Sequence, residues 1–118
     1  MRMAGIQHVS IGSHDVAKSI EFYEWFGLSV VPTRPDFGVG GAWLQAGDQQ
    51  VHLIATDKQT PGSENHFAFI VDDLDKCLTE LAAHDIKAYR APHTVGAGYQ
   101  AFINDPSGNV VELNQPDH

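Results

Sequence analysis

The sequence predicts an α+β protein built from two βαβββ modules whose strands are mostly antiparallel, and three observations support this. A strand with a two-residue period leads into a helix start at His8 and again, 58 residues later, at His66. The helix signals that follow repeat at the same offset, so that Asp15 matches Asp73. Alternating apolar runs separated by turn residues then predict three more strands in each copy.

The first module is predicted over residues 1–55. Its first strand is expected over 6–11, and either Ser13 or Asp15 is placed to cap a helix that ends at Gly27. The remaining strands are expected over residues 28–34, 42–46 and 50–55.

The second module is predicted over residues 64–118, after a linker over 56–63 that contains Pro61-Gly62. Its strand from His66 leads into a helix capped by Asp73. Further strands are expected over residues 86–90, 99–104 and 109–114. Because a module of this length has a marginal core by itself, the two are expected to form one compact domain or to pack on a partner chain.

Composition excludes several classes of function. The net charge is −8, from 15 acidic and 7 basic residues, and no run of Lys or Arg offers the basic face that nucleic acid requires. No apolar stretch reaches membrane-spanning length, and the first residues lack the profile of a signal peptide. Cys77 is the single cysteine, so no internal disulfide forms, and it is expected to pack as a small hydrophobe. A cytoplasmic protein is predicted.

Four polar residues recur at matched positions in the first and last strand of each module: His8, His52, His66 and Glu112. Bulky apolar residues flank each of them and must cover the helices, so the polar side chains face the other side of the sheet. Taken singly, each is an ordinary polar residue on a solvated sheet face. Two modules related by an approximate two-fold would instead aim all four at one point. Three imidazoles and a carboxylate suit Zn, Ni, Co, Mn or Fe(II), so one divalent metal per chain is predicted.

The other histidines, His14, His84, His93 and His118, lie in predicted loops, at helix ends or at the end of the chain. They are expected on the surface.

The chain resembles the vicinal oxygen chelate superfamily, which includes glyoxalase I, fosfomycin-resistance thiol transferases, methylmalonyl-CoA epimerase, extradiol dioxygenases and bleomycin-resistance proteins. The resemblance covers nearly the whole chain. It is carried by His8 and by the segments 21–28 (EFYEWFGL), 51–53 (VHL), 66–69 (HFAF) and 101–113 (AFINDPSGNVVEL).

The resemblance implies two modules curled into an open barrel, with the helices outside and a divalent metal inside. Substrates of the family chelate that metal through adjacent oxygens. His8, His66 and Glu112 match the commonest ligands, whereas His52 stands where glyoxalase I has a glutamate that both ligates and moves protons. Lactoylglutathione-forming activity is therefore expected to be low or absent. The loop 94–99, where the family binds substrate anions, carries no Lys or Arg here, which disfavours a phosphonate.

The leading functional prediction is a metal-dependent enzyme of lyase or isomerase type that acts on a small oxygen-rich molecule, with Glu112 and His52 as the catalytic residues. One alternative is an Fe(II) dioxygenase that uses the triad of His8, His66 and Glu112. Another is a non-catalytic binder of drugs or antibiotics. For the substrate pocket, three aromatic residues are expected: Phe37, Trp43 and Tyr99.

The chain is also predicted to form a homodimer with its metal sites between chains, because each module has an open sheet edge. In this arrangement His8 and His52 of one chain would meet His66 and Glu112 of the other. No nucleic-acid or membrane partner is expected.

Overall fold

The computed structural model describes residues 1–117. The chain divides into two compact units, Met1–Thr60 and Pro61–His118. Each unit contains one helix and one four-stranded sheet.

In the first unit, the strand β1 leads into the helix α1, and three further strands follow. The bounds are β1 His8–Ser13, α1 Val16–Trp25, β2 Ser29–Val30, β3 Gly41–Ala46 and β4 Gln49–Ala55. The sheet order is β1-β4-β3-β2. β1 runs parallel to β4, and the other two pairings are antiparallel.

The second unit repeats this plan. The bounds are β5 His66–Ile70, α2 Leu74–Ala83, β6 Tyr89–Arg90, β7 Tyr99–Asn104 and β8 Val110–Gln115. The order is β5-β8-β7-β6, again with one parallel pairing, between β5 and β8. Neither sheet closes on itself. The predicted α+β fold of two βαβββ modules is confirmed.

Both helices begin with the same cap. The side chains of Asp15 and Asp73 each accept a hydrogen bond of 3.1 Å from the backbone N–H three residues later, at Lys18 and Lys76. Ser13, the other candidate cap, is buried and shares a 2.7 Å hydrogen bond with the Ser19 hydroxyl. The repeated cap explains why the two helices start at matched positions.

The strands that follow the helices are shorter than the sequence predicts, at two residues each instead of the ranges 28–34 and 86–90. Part of each range is held by the preceding helix, because the N–H of Leu28 donates to the Tyr23 carbonyl and that of Ile86 donates to the Leu81 carbonyl. Pro32 then has no N–H to continue the pairing of β2.

The core of each unit lies between its helix and one face of its sheet. Tyr23, Leu44 and Leu53 are at most 1% exposed in the first unit, as are Leu81 and Leu113 in the second. The opposite sheet face carries the polar residues His52 and His66 together with exposed aliphatic residues such as Ile54 and Ile70. No helix within residues 1–117 is long and apolar enough to span a membrane.

Candidate metal centre and ligand cavity

The four predicted ligands lie as two pairs, one in each unit. His8 and His52 stand on β1 and β4, and His66 and Glu112 stand on β5 and β8. The register is equivalent, since Ser10, two residues after His8, lies opposite His52, just as the residue two after His66 lies opposite Glu112. Within residues 1–117, neither unit by itself gathers three His, Cys, Asp or Glu side chains as a metal site.

The second-unit pair is in direct contact. His66 Nε2 lies 3.0 Å from Glu112 Oε1, with the two side chains 30% and 8% exposed. The other ring nitrogen, Nδ1, lies 2.9 Å from the Ser63 carbonyl oxygen. Because a carbonyl oxygen can only accept a hydrogen bond, Nδ1 is the donor. In the neutral ring the lone pair is therefore on Nε2, aimed at the carboxylate. Either a proton or a metal cation between these two atoms would satisfy both.

Two amides hold the other oxygen of Glu112. Gln100 Nε2 and Asn114 Nδ2 donate to Oε2 at 3.1 Å and 2.8 Å. Burial raises the pKa of Glu112, but the hydrogen bonds from Asn114 and Gln100, together with the one that His66 donates when Nε2 carries a proton, outweigh it, so the pKa lies below its ordinary value. The carboxylate stays ionised, as a metal ligand must be.

The geometry of this pair fits a metal. Ligand bonds of roughly 2.0–2.2 Å at the right angle of an octahedral site place two ligand atoms about 3.0 Å apart, which is also the length of an ordinary hydrogen bond. This is the separation observed between His66 Nε2 and Glu112 Oε1. The hydrogen bond from His66 Nδ1 to a backbone carbonyl is also the usual support of a metal-binding histidine.

The first-unit pair has a different geometry, because the ring of His52 lies in a stack. His8 stacks on it with centroids 3.9 Å apart and planes 15° apart. Trp43, directly opposite His52 on β3, also stacks on it at 4.5 Å and 9°. His52 is 9% exposed, whereas His8 is exposed.

A chain of amide hydrogen bonds determines the tautomer of His52. Gln45 donates to two backbone carbonyls, and its oxygen accepts from Gln50 Nε2. The Gln50 oxygen then accepts from His52 Nε2 at 2.8 Å, which leaves the lone pair of the neutral ring on Nδ1. Burial, followed by the charges of His8 and Arg34, lowers the pKa of His52. The ring is therefore neutral at pH 7, as a ligand or a proton acceptor must be.

Stacked rings cannot bind one metal together. An imidazole binds a metal in its own plane, and the planes of His8 and His52 are nearly parallel and offset. One ring must turn for both to bind the same ion. His8 is the ring that can turn, since it is exposed and its Nδ1 is hydrogen-bonded to the side chain of its neighbour Gln7.

Two of the three predicted pocket aromatics line an open cavity in the first unit. The cavity has a volume of about 450 Å³, and Phe37, Trp43, His8 and His52 are among its lining residues. Tyr99 belongs to the second unit, where it stacks on His93 at 4.1 Å and 14°.

The loop 94–99 of the second unit is held by a carboxylate of the chain. Asp117 accepts hydrogen bonds of 2.9 Å from His93 Nε2 and 2.8 Å from the Gly96 N–H. The bond from His93, followed by that from Gly96, lowers the pKa of Asp117. His14, His84 and His93 are exposed, and His118 lies outside the described residues.

Sequence reasoning missed the residues that support these groups. Arg34, which lines the cavity, is the only Lys or Arg between Lys18 and Lys58. This isolation in the sequence could have identified it as a candidate binding residue. Asn114 has the parity of Glu112 along β8, which indicates the same sheet face. The carbonyl of Ser63 as the partner of His66 left no signal in the sequence.

The family follows from comparison with known proteins. A family model described as the glyoxalase/bleomycin resistance protein/dioxygenase superfamily matches residues 5–113. The chain belongs to this superfamily. The resemblance identified from the sequence is thereby confirmed.

Individual relatives agree with this membership. The chain is 29% identical to the glyoxalase domain-containing protein RDO1 of Mycosarcoma maydis, over 97% of this chain and 69% of that protein. A glyoxalase family protein from Bacillus anthracis is 27% identical, with a TM-score of 0.85 over 99% of this chain and 100% of that one. TnmS3, an antibiotic binding protein from Streptomyces sp. CB03234, is also 27% identical, with a TM-score of 0.76 over 99% of each chain.

One solved structure of the same fold contains a metal. A variant of the fosfomycin resistance protein FosX from Listeria monocytogenes is complexed with Mn(II) and 1S,2S-dihydroxypropylphosphonic acid. Its TM-score is 0.84 over 98% of this chain and 95% of that one, at 15% identity. This likeness shows the fold alone.

Proposed function

We propose that the protein is a divalent-metal-dependent enzyme of lyase or isomerase type that acts on a small oxygen-rich substrate. The observation that carries this proposal is the contact of His66 Nε2 with Glu112 Oε1 at 3.0 Å, with the lone pair of His66 placed on Nε2 by Ser63. His66 and Glu112 would hold the metal together with His8 and, more weakly, His52. The bound metal would polarise adjacent oxygens of the substrate.

The chain's own residues divide the remaining work. Gln100 and Asn114 fix one oxygen of Glu112, so that the other faces His66. His52 is neutral with its lone pair on Nδ1, so it serves either as a ligand or as an acceptor for a substrate proton. The cavity beside His52 would hold the substrate.

Metal analysis of the purified protein tests the proposal. We expect one divalent ion per chain in the wild type and none after Glu112→Ala or His66→Ala. Glu24→Ala, at an exposed position of α1, removes the same charge as Glu112→Ala and should retain the metal. Full metal content in the Glu112 or His66 variant contradicts the assignment. Bound iron would favour the dioxygenase alternative, whereas zinc or nickel would favour a lyase.

We further propose that the metal site is completed in a homodimer, with His8 and His52 from one chain and His66 and Glu112 from the other. Each unit supplies two ligands at matched positions, so a complete set requires one unit of each kind. Closed two-fold dimers are the commonest oligomers.

A non-catalytic binder is the second candidate, and the ring stack favours it. His8, His52 and Trp43 form a face-to-face stack beside the cavity rather than converging on a metal. The 27% identity to an antibiotic binding protein agrees with this candidate. A wild-type protein that binds ligands but retains no metal from a metal-supplemented solution would support the binder over the enzyme.

A further inference from the structure

The cavity of the first unit has the size of a small-molecule site. Its volume of about 450 Å³ lies in the usual range of roughly 300–1,000 Å³. Phe37 and Val39, which line it, are 59% and 50% exposed. A ligand that covers them would remove a large apolar surface from water.

The charge of the cavity is the reverse of the charge of the chain. Among the residues that line the cavity, Arg34 is the only one with a permanent charge, and none is an Asp or a Glu. The whole chain has 15 acidic and 7 basic residues, so a lining with one cation and no acid is unlike the average surface. The local potential therefore favours an anionic ligand.

The guanidinium of Arg34 has donors to spare. Nη2 donates to the Val39 carbonyl at 2.9 Å. The buried Nε has no hydrogen-bond partner in the part of the chain that the structure describes, and Arg34 makes no ion pair there. A buried charged donor without an acceptor is rare in folded proteins. Because this Nε is buried, an anion that enters the cavity would bind instead through the donors that remain on Nη1 and Nη2 of Arg34.

The position of Arg34 over the sheet depends on Gly41. A Cβ atom at this glycine would lie 2.9 Å from Arg34 Nη2 and would also collide with the Leu53 carbonyl. The glycine thus leaves room for the guanidinium, whose central carbon lies 5.2 Å from the centroid of the Phe37 ring. This cation–π contact holds the charge beside the aromatic residues of the cavity.

The rings of the cavity are arranged to receive another flat ring. Trp43 and His52 lie face to face in one stack, and Phe37 lies 6.0 Å from Trp43 at a tilt of 42°. Aromatic rings pack favourably at centroid distances of about 4.5–7 Å in offset or tilted arrangements. A planar ligand of one or two rings would extend this cluster.

We propose that the cavity binds a planar aromatic carboxylate, with its carboxylate on Arg34 and its ring against Phe37 and Trp43. This rests on the proposed function in one respect, which is that the ligand is the substrate. The binding itself uses neither His66 nor Glu112, so it can be measured without the metal.

Titration calorimetry of the full chain with three probes of one shape tests the inference. The probes are 1-naphthoate, neutral 1-naphthylmethanol and cationic 1-naphthylmethylammonium, used before and after removal of metal by a chelator. We expect the naphthoate to bind at least about tenfold more tightly than the other two in both preparations. Arg34→Gln should abolish this preference, measured as the ratio of the naphthoate affinity to the naphthylmethanol affinity, because the loop that Arg34 also holds affects both probes alike. Arg2→Gln, which removes the same charge at an exposed position, should change nothing.

Equal binding of the three probes overturns the inference, as does the absence of naphthoate binding or an unchanged preference in Arg34→Gln. The probe comparison uses wild-type protein, so misfolding of a variant does not affect it. Naphthoate selectivity in a protein that never retains metal would support the inference and contradict the proposed enzyme. One metal ion per chain without naphthoate selectivity would support the proposed enzyme and contradict the inference about the ligand.

Discussion

The two units place polar pairs at equivalent positions of equivalent sheets, yet the pairs differ in what they do. His66 and Glu112 point ligand atoms at each other across 3.0 Å, whereas His8 and His52 lie ring on ring at 3.9 Å. The residue that lies opposite on the neighbouring antiparallel strand is one source of the difference. Trp43 lies opposite His52 and stacks on it.

In the second unit Phe102 occupies the corresponding place, opposite Glu112. It meets His66 edge-on at 76° instead of stacking on it, and Nε2 of that ring is directed at Glu112. The repeated backbone thus determines the position of each side chain on its sheet. Neighbouring residues that differ between the two units determine how that side chain is oriented. The second pair has the geometry that the proposed metal site requires, whereas the first pair would acquire it only if His8 turned.

The largest expected effect concerns whether the two pairs act together. Mixing His8→Ala chains with His66→Ala chains, after unfolding and refolding, should restore metal binding that neither variant has alone. In a shared site each heterodimer has one doubly damaged site and one intact site. Metal content of the dimer fraction, measured by mass spectrometry, reports the result.

Each variant refolded by itself is the control for the mixing experiment and should stay free of metal. If the four ligands come from a single chain, every site in the mixture remains damaged and no metal returns. That result would remove the proposal of a site shared between chains while leaving the ligand assignment in place.

A smaller, opposed pair of effects distinguishes His8 from His52. His8→Ala should lower metal affinity by more than about tenfold and His52→Ala by less, since His8 is the ring free to turn toward a metal. Stability should change in the opposite order. His52→Ala loses the stack on Trp43 and should cost about 1 kcal/mol, whereas exposed His8→Ala should stay within about 0.5 kcal/mol. Metal titration measures the loss of affinity in each variant, and urea unfolding measures the loss of stability. A loss of metal affinity in His52→Ala equal to or greater than that in His8→Ala would contradict the prediction.

The smallest effect concerns the loops that precede β3 and β7. Arg34 holds the first through the Val39 carbonyl, and Asp117 holds the second through His93 and the Gly96 N–H. Because the pKa of Asp117 is lowered in the folded chain, its ionised form stabilises the fold above the unfolded pKa of about 3.9. This contribution is lost as the pH falls through the lower folded pKa.

Asp117→Asn should therefore melt earlier than the wild type near neutral pH, and the difference should disappear in acid. Thermal unfolding followed from pH 7 downwards measures it. Asp57→Asn is the control, because it removes the same charge from the first unit. Asp57 precedes Asp117 by the same number of residues as His52 precedes Glu112. A difference that grows in acid would contradict the assigned role of Asp117.

The sequence by itself determined the repeat, the Asp73 cap and the sheet face of each candidate ligand, and it gave Asp15 as one of two candidates for the other cap. These features are local: a cap depends on residues three apart, and strand parity follows from the alternation of Cβ atoms along a pleated chain. Matched parity at His8, His52, His66 and Glu112 was therefore sufficient to select them from the chain's His and acidic residues. It was also sufficient to predict the βαβββ order.

Only the tertiary structure decided what these side chains do. The tautomer of His52 depends on Gln50 and Gln45, and the charge of the cavity depends on Arg34, 18 residues before His52 in the chain. Rotamers and hydrogen-bond partners are set by neighbours on other strands and loops, which no periodicity encodes. For the same reason the edge strands β2 and β6 are shorter than predicted, because the N–H groups of Leu28 and Ile86 donate to carbonyls of the preceding helices.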